Sequence, residues 1–122
     1  MKNLFKITLI ALLISSTQLF AQDAKVVKLK QTPGEFNKKE LNLKANKPYV
    51  FEVENDGVDH EVGFVIVPAG KEGQEHHIQN AYVQKMIADG EQSKSKEVVL
   101  EKGEYEYFCP MNPTPKYKLV VN

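Results

Sequence analysis

The octapeptide PYVFEVEN at positions 48–55 sets the kind of fold this chain can take. Tyr49, Phe51 and Val53 alternate with Val50, Glu52 and Glu54, a period of two that suits a half-buried strand and not a helix. Pro48 marks the strand start, and Asn55-Asp56-Gly57 is a strong turn signal. The same alternation returns in EYEYFC (104–109), where Tyr105, Tyr107 and Cys109 share one face opposite Glu104, Glu106 and Phe108. KVVKLK (25–30), LNLKA (41–45), HEVGFVIV (60–67), KEVVLE (96–101) and KYKLVV (116–121) complete the set, while TPGEFNKKE (32–40) reads as a loop. Short strands at this spacing predict an all-β sandwich with Greek-key connections. Only the segment 68–90 breaks the pattern. PAGKEGQEHH is loop-like, and IQNAYVQKMIADG predicts a short helix with Ile78, Tyr82 and Met86 on one side, ended by Asp89-Gly90. Failing that, the segment is an irregular insertion.

The first residues bear on compartment. Lys2 and Lys6 precede an apolar run from Ile7 to Ile14 and a polar stretch before Ala21, the pattern of an export signal cleaved after Ala21. The run is too short to span a bilayer comfortably, and no later stretch comes close. No cysteine lies near the cut, so a lipid anchor has no support. The expected product is a periplasmic or secreted domain, residues 22–122, with a signal peptide at 1–21. Those 101 residues suffice for one domain with one core. With two lysines gone the net charge is −2, and the chain has no arginine. A nucleic-acid partner, which would need a basic footprint, is therefore not expected.

Cys109 is the chain's one cysteine, so it forms no intrachain disulfide. An unpaired thiol in an exported protein is unusual. Either it is buried and inert, packing as a small hydrophobe, or it has a ligand. The strand pattern turns Cys109 inward at the end of its strand. It also turns His60 inward, on one face with Val62, Phe64 and Ile66. Should the two strand ends meet, a soft thiolate faces an imidazole, a pair that copper favours, Cu(I) above all.

With these residues in view, the chain resembles the cupredoxins, the blue copper family that includes plastocyanin and amicyanin. The resemblance covers nearly all of residues 22–122 and rests on two blocks. In YVFEVENDGVDHEVGF an asparagine-led turn precedes a histidine; in LEKGEYEYFCP a glycine-led strand delivers a cysteine. It implies that His60 is the first copper-ligand histidine, Cys109 the cysteine ligand and Asn55 the asparagine of the turn. After the cysteine the chain departs from the family. An amicyanin-like loop has its second histidine three residues on and its methionine six on, where this chain has Asn112 and Pro115. Met111, next to the lost histidine, is a candidate thioether donor, whereas Asn112 offers only an amide, a far poorer copper ligand than imidazole. His76 and His77 read most simply as a solvated loop, which would supply the missing imidazole only by folding over that end.

The resemblance implies a small monomeric electron carrier that holds one copper ion, alternates between Cu(I) and Cu(II), and docks transiently on a redox or copper-handling protein. Two other readings stay open: Cu(I) storage or delivery on a His60–Cys109–Met111 set, and a metal-free cupredoxin scaffold acting as a binding module. Enzyme readings are weak. A Cys109–His60 nucleophile lacks an evident cleft, the His-Glu of DHEVGF lacks the second histidine of a zinc protease, and no glycine-rich phosphate loop occurs.

Overall fold

A computed structural model describes residues 24–122; the expected export signal lies outside the described residues. Nine strands run in order: β1 (Lys25–Thr32), β2 (Glu35–Phe36), β3 (Glu40–Leu43), β4 (Pro48–Asn55), β5 (Val65–Pro68), β6 (Gln92–Lys94), β7 (Val98–Val99), β8 (Gly103–Phe108) and β9 (Tyr117–Val121). They form two sheets. One has the order β2-β1-β4-β6, with β7 also paired to β4; the other has the order β3-β9-β8-β5. The β1–β4 and β3–β9 pairs are parallel, and the rest are antiparallel. This is the expected β-sandwich.

The period-two pattern becomes packing. In β4, Tyr49, Phe51, Val53 and Asn55 are buried while their neighbours are half-buried. In β8, Tyr107 is fully buried and Cys109 just beyond the strand is 4% exposed, as the alternation of EYEYFC predicts. An aromatic cluster fills the space between the sheets. Phe36 packs edge-on against Phe64, Tyr107 and Tyr117, and Phe64 also meets Phe51. Two hydroxyl tips find partners: Tyr107 donates to the Lys38 carbonyl, and Tyr117 accepts from the Phe36 N–H. Apolar body and polar tip are thus both satisfied.

Three local expectations need correction. TPGEFNKKE is not a plain loop: Pro33-Gly34 make a tight turn, with Gly34 at φ +79°, and return the chain on β1 as β2. This buries Phe36 completely, worth about 2–3 kcal/mol. HEVGFVIV is not one strand. Only Val65–Pro68 pairs in a ladder, Val62 makes an isolated bridge to Ile87, and His60 sits exposed in a bend. The helix over 78–90 does not form either. Segment 68–90 contains two single 3-10 turns, Gln74–His76 and Gln79–Ala81, because its backbone bonds elsewhere. The Ile78 N–H donates to the Ile66 carbonyl at 2.9 Å, and Val62 and Ile87 exchange two bonds at 3.0 Å. Tertiary pairing outweighs the weak local propensity.

Candidate metal centre

Cys109 lies where β8 ends and turns into the loop before β9. Its Sγ accepts three backbone N–H groups: Gly63 and Met111 at 3.4 Å, and Asn112 at 3.2 Å. Its own N–H donates to the Thr114 hydroxyl at 3.1 Å, which closes the loop on itself. The sulfur is thus buried and surrounded by donors from two segments, the β8–β9 loop and the stretch before β5.

Asn112 is 2% exposed, and its amide is fully engaged with the β1–β2 hairpin. Its Oδ1 accepts the Gly34 N–H at 2.8 Å. Its Nδ2 donates to the Thr32 carbonyl at 2.9 Å and to Gln31 Oε1 at 3.3 Å. Gln31, also fully buried, donates from Nε2 to the Gly63 carbonyl at 2.6 Å. Gln31, Asn112, Gly63 and Cys109 therefore form one connected polar network at this end of the sandwich. No buried side-chain nitrogen or oxygen among the described residues lacks a partner. Such a closed network rigidifies its surroundings.

Asn55 organises the neighbouring turn. From β4 its Nδ2 donates to the carbonyls of Val58, His60 and Ile87 at 3.0–3.1 Å, and its Oδ1 accepts the Val58 N–H at 2.9 Å. Gly57, at φ +94°, permits the reversal between them. The turn expected around Asn55 is present, but it delivers His60 to solvent. The His60 side chain is exposed, and its Nδ1 lies 3.0 Å from the Glu61 carbonyl oxygen. The inward-facing His60 expected from strand alternation does not occur, because the strand that would have turned it begins only at Val65.

Segment 68–90 separates the remaining two histidines. His76 is exposed beside Glu75, as a solvated loop residue would be. His77 is half-buried. Its Nδ1 is 2.7 Å from the Tyr82 hydroxyl, and its ring stands edge-on to Phe108, with centroids 6.2 Å apart. An open groove of about 760 Å³ runs there, lined among others by Gly63, His77, Tyr82, Met86, Phe108 and Met111. Met111 stands on it 53% exposed. Sequence reasoning missed Met86 altogether, assigning it to a helix face.

A blue copper centre needs a thiolate with two imidazoles and a weak axial ligand. Among the described residues no three His, Cys, Asp or Glu side chains come together. His60 is exposed, Asn112, where the resemblance expects the second histidine, has its amide spent, and Pro115 stands where it expects the methionine. These residues do not fit a blue centre. What they do present at one end is sulfur: Cys109 beneath the loop and Met86 and Met111 along the groove.

The family model described as "Cupredoxin-like domain" matches residues 5–121. No curated protein matches the sequence. Among solved structures, auracyanin B is similar at 18% identity over 83% of this chain and 91% of its own, with a TM-score of 0.68. Auracyanin A, a "blue" copper protein from Chloroflexus aurantiacus, is 17% identical over 82% of this chain and 100% of its own, with a TM-score of 0.66. Amicyanin from Paracoccus versutus is 17% identical over 84% of this chain and 86% of its own, with a TM-score of 0.51. At these identities the likeness is one of fold.

Proposed function

Because the chain belongs to the cupredoxin-like family and its loop end is rich in sulfur and poor in imidazole, we propose that it is an exported copper-handling protein. It binds Cu(I) as cargo and is not an electron carrier of the blue type. The observation that carries this reading is the pairing of a buried thiol, Cys109, with a thioether two residues on, Met111, exposed on an open groove. Thiol and thioether are soft donors that select Cu(I), while Cu(II) prefers nitrogen and oxygen. An open groove also suits an ion that is handed to a partner. In this account His60 stays outside the donor set and Asn112 serves as a strut. Residues 1–21 read as an export signal, so the domain would act in the periplasm or outside the cell.

A second reading, a metal-free binding module, is favoured by one specific observation: Cys109 Sγ already accepts three N–H groups. Anaerobic competition of residues 22–122 against a chromophoric Cu(I) chelator decides between them. Cu(I) binding that is lost in Cys109→Ala and kept in His60→Ala supports the proposal. Failure of the wild type to compete leaves the metal-free module. An intense visible copper–thiolate band on adding Cu(II) would restore the blue-carrier reading that the auracyanin and amicyanin folds suggest.

A further inference from the structure

We infer that His77 and Met86, together with Met111, form the open face of the Cu(I) site, a thioether–thioether–imidazole set in the groove. This deepens the reading above and rests on it, since it names residues for the same cargo.

Both new residues are placed by the clamps that prevent the helix. His77 directly precedes Ile78, whose N–H is bonded to β5. Met86 directly precedes Ile87, which exchanges two bonds with Val62. The two clamps bring residues nine apart in the chain to one groove, which Met111 reaches from the β8–β9 loop. Gly63 makes room for this. A methyl group there would lie 3.3 Å from Met86 Cε and 3.6 Å from its sulfur, so the thioether packs on a bare Cα. The N–H of the same glycine points at Cys109 Sγ. Gly63 thus lies against both the buried thiol and the groove sulfur.

The chemistry fits a soft monovalent ion. Two thioethers are poor ligands for hard divalent ions and good ones for Cu(I). His77 Nδ1 lies 2.7 Å from the Tyr82 hydroxyl, which fixes the ring as ligand imidazoles usually are; in the tautomer with the proton on Nδ1, Nε2 keeps its lone pair for the ion. Unbranched methionines have the rotamer freedom to close on an ion that a rigid site would not admit. Glu72, on the same groove, is ion-paired with Lys116, so its carboxylate is already committed. Met111 is 53% exposed, so its side chain covers little of the core.

The test uses residues 22–122 with 13C-labelled methionine ε-methyl groups, titrated with Ag(I), a redox-silent stand-in for Cu(I). Met86→Leu and Met111→Leu assign the two signals. Both should shift together with the first equivalent. In Cu(I) competition, His77→Phe keeps the aromatic packing and should lower affinity at least about tenfold, the scale reached even by residues that merely orient a ligand. If Cu(I) competes but neither methyl shifts and His77→Phe matches wild type, the inference is overturned while the Cu(I) reading stands. If no Cu(I) is bound at all, both fall.

Discussion

Asn112→Ala isolates the strut at the position where the family resemblance expects a second histidine. The substitution removes three hydrogen bonds: Gly34 N–H to Oδ1, and Nδ2 to the Thr32 carbonyl and to Gln31 Oε1. The three losses are unequal. Gly34 lies in an exposed turn, and its N–H can turn to water at a cost of about 0.5 kcal/mol, the low end for a net hydrogen bond. The Thr32 carbonyl is half-buried and loses about 1 kcal/mol. Gln31 is fully buried, so its Oε1 is left without a donor, which costs about 1–3 kcal/mol. The total is about 2.5–4.5 kcal/mol, or a fall in Tm of roughly 10–25 °C for a domain of about 100 residues. Asn112→Asp should be at least as damaging, because it keeps the Gly34 bond but sets a carboxylate against two acceptors. Asn112→His, which places there the imidazole that the resemblance expects, severs the same latch and should cost as much unless copper is bound. Urea unfolding followed by far-UV circular dichroism measures all three. A change below about 0.5 kcal/mol in Asn112→Ala, the scatter of ordinary surface changes, would refute the strut and return Asn112 to the list of ligands.

Other residues give independent checks. Asn55→Ala removes four bonds that hold the 56–60 turn to Ile87, and should cost about 3 kcal/mol or more, the range for breaking a buried network; chemical denaturation tests it. Burial, then the neighbouring Tyr117 and Glu40, hold the Tyr107 hydroxyl well above the usual phenol range. Its folded form keeps its proton where the unfolded form loses it, so stability should be intact below about pH 10 and fall as pH rises beyond that. Tyr107→Phe should flatten this alkaline loss while losing the bond to the Lys38 carbonyl, as Tm measured against pH will show. Gly57→Ala, forced to a φ of +94°, should destabilise by about 1 kcal/mol or more without altering Cu(I) affinity in the competition assay.

What could be read in the sequence was whatever depends on alternation. PYVFEVEN and EYEYFC each bury one face on one core, so period two alone placed Phe51, Tyr107 and Cys109 inside. β5 defeated the same logic. Val65, Ile66 and Val67 are all buried, with Ile66 in the core between the sheets and Val65 beside the groove that Tyr82 also lines. That buried run looked like the tail of a longer strand and drew His60 inward with it. β2 was hidden for another reason: two residues long and with one apolar side chain, it shows no period at all, and only Pro33-Gly34 ahead of Phe36 hinted at a hairpin. The groove was illegible in principle. His77 and Met86 line it together because Ile78 and Ile87 bond to Ile66 and Val62, pairings that leave no trace in local composition. The histidine pair at 76–77 looked uniform in sequence, yet one ring is exposed beside Glu75 and the other is seated against Tyr82 and Phe108.

On the proposed function, the Cys109 end takes Cu(I) and not a blue Cu(I)/Cu(II) couple. Anaerobic Cu(I) competition on residues 22–122, with Cys109→Ala alongside and the visible spectrum recorded after Cu(II) addition, tests it most directly. One bound Cu(I), binding abolished in Cys109→Ala, and no intense visible copper–thiolate band with Cu(II) are expected. Equal Cu(I) affinity in the wild type and Cys109→Ala, or an intense band in the wild type, would contradict it.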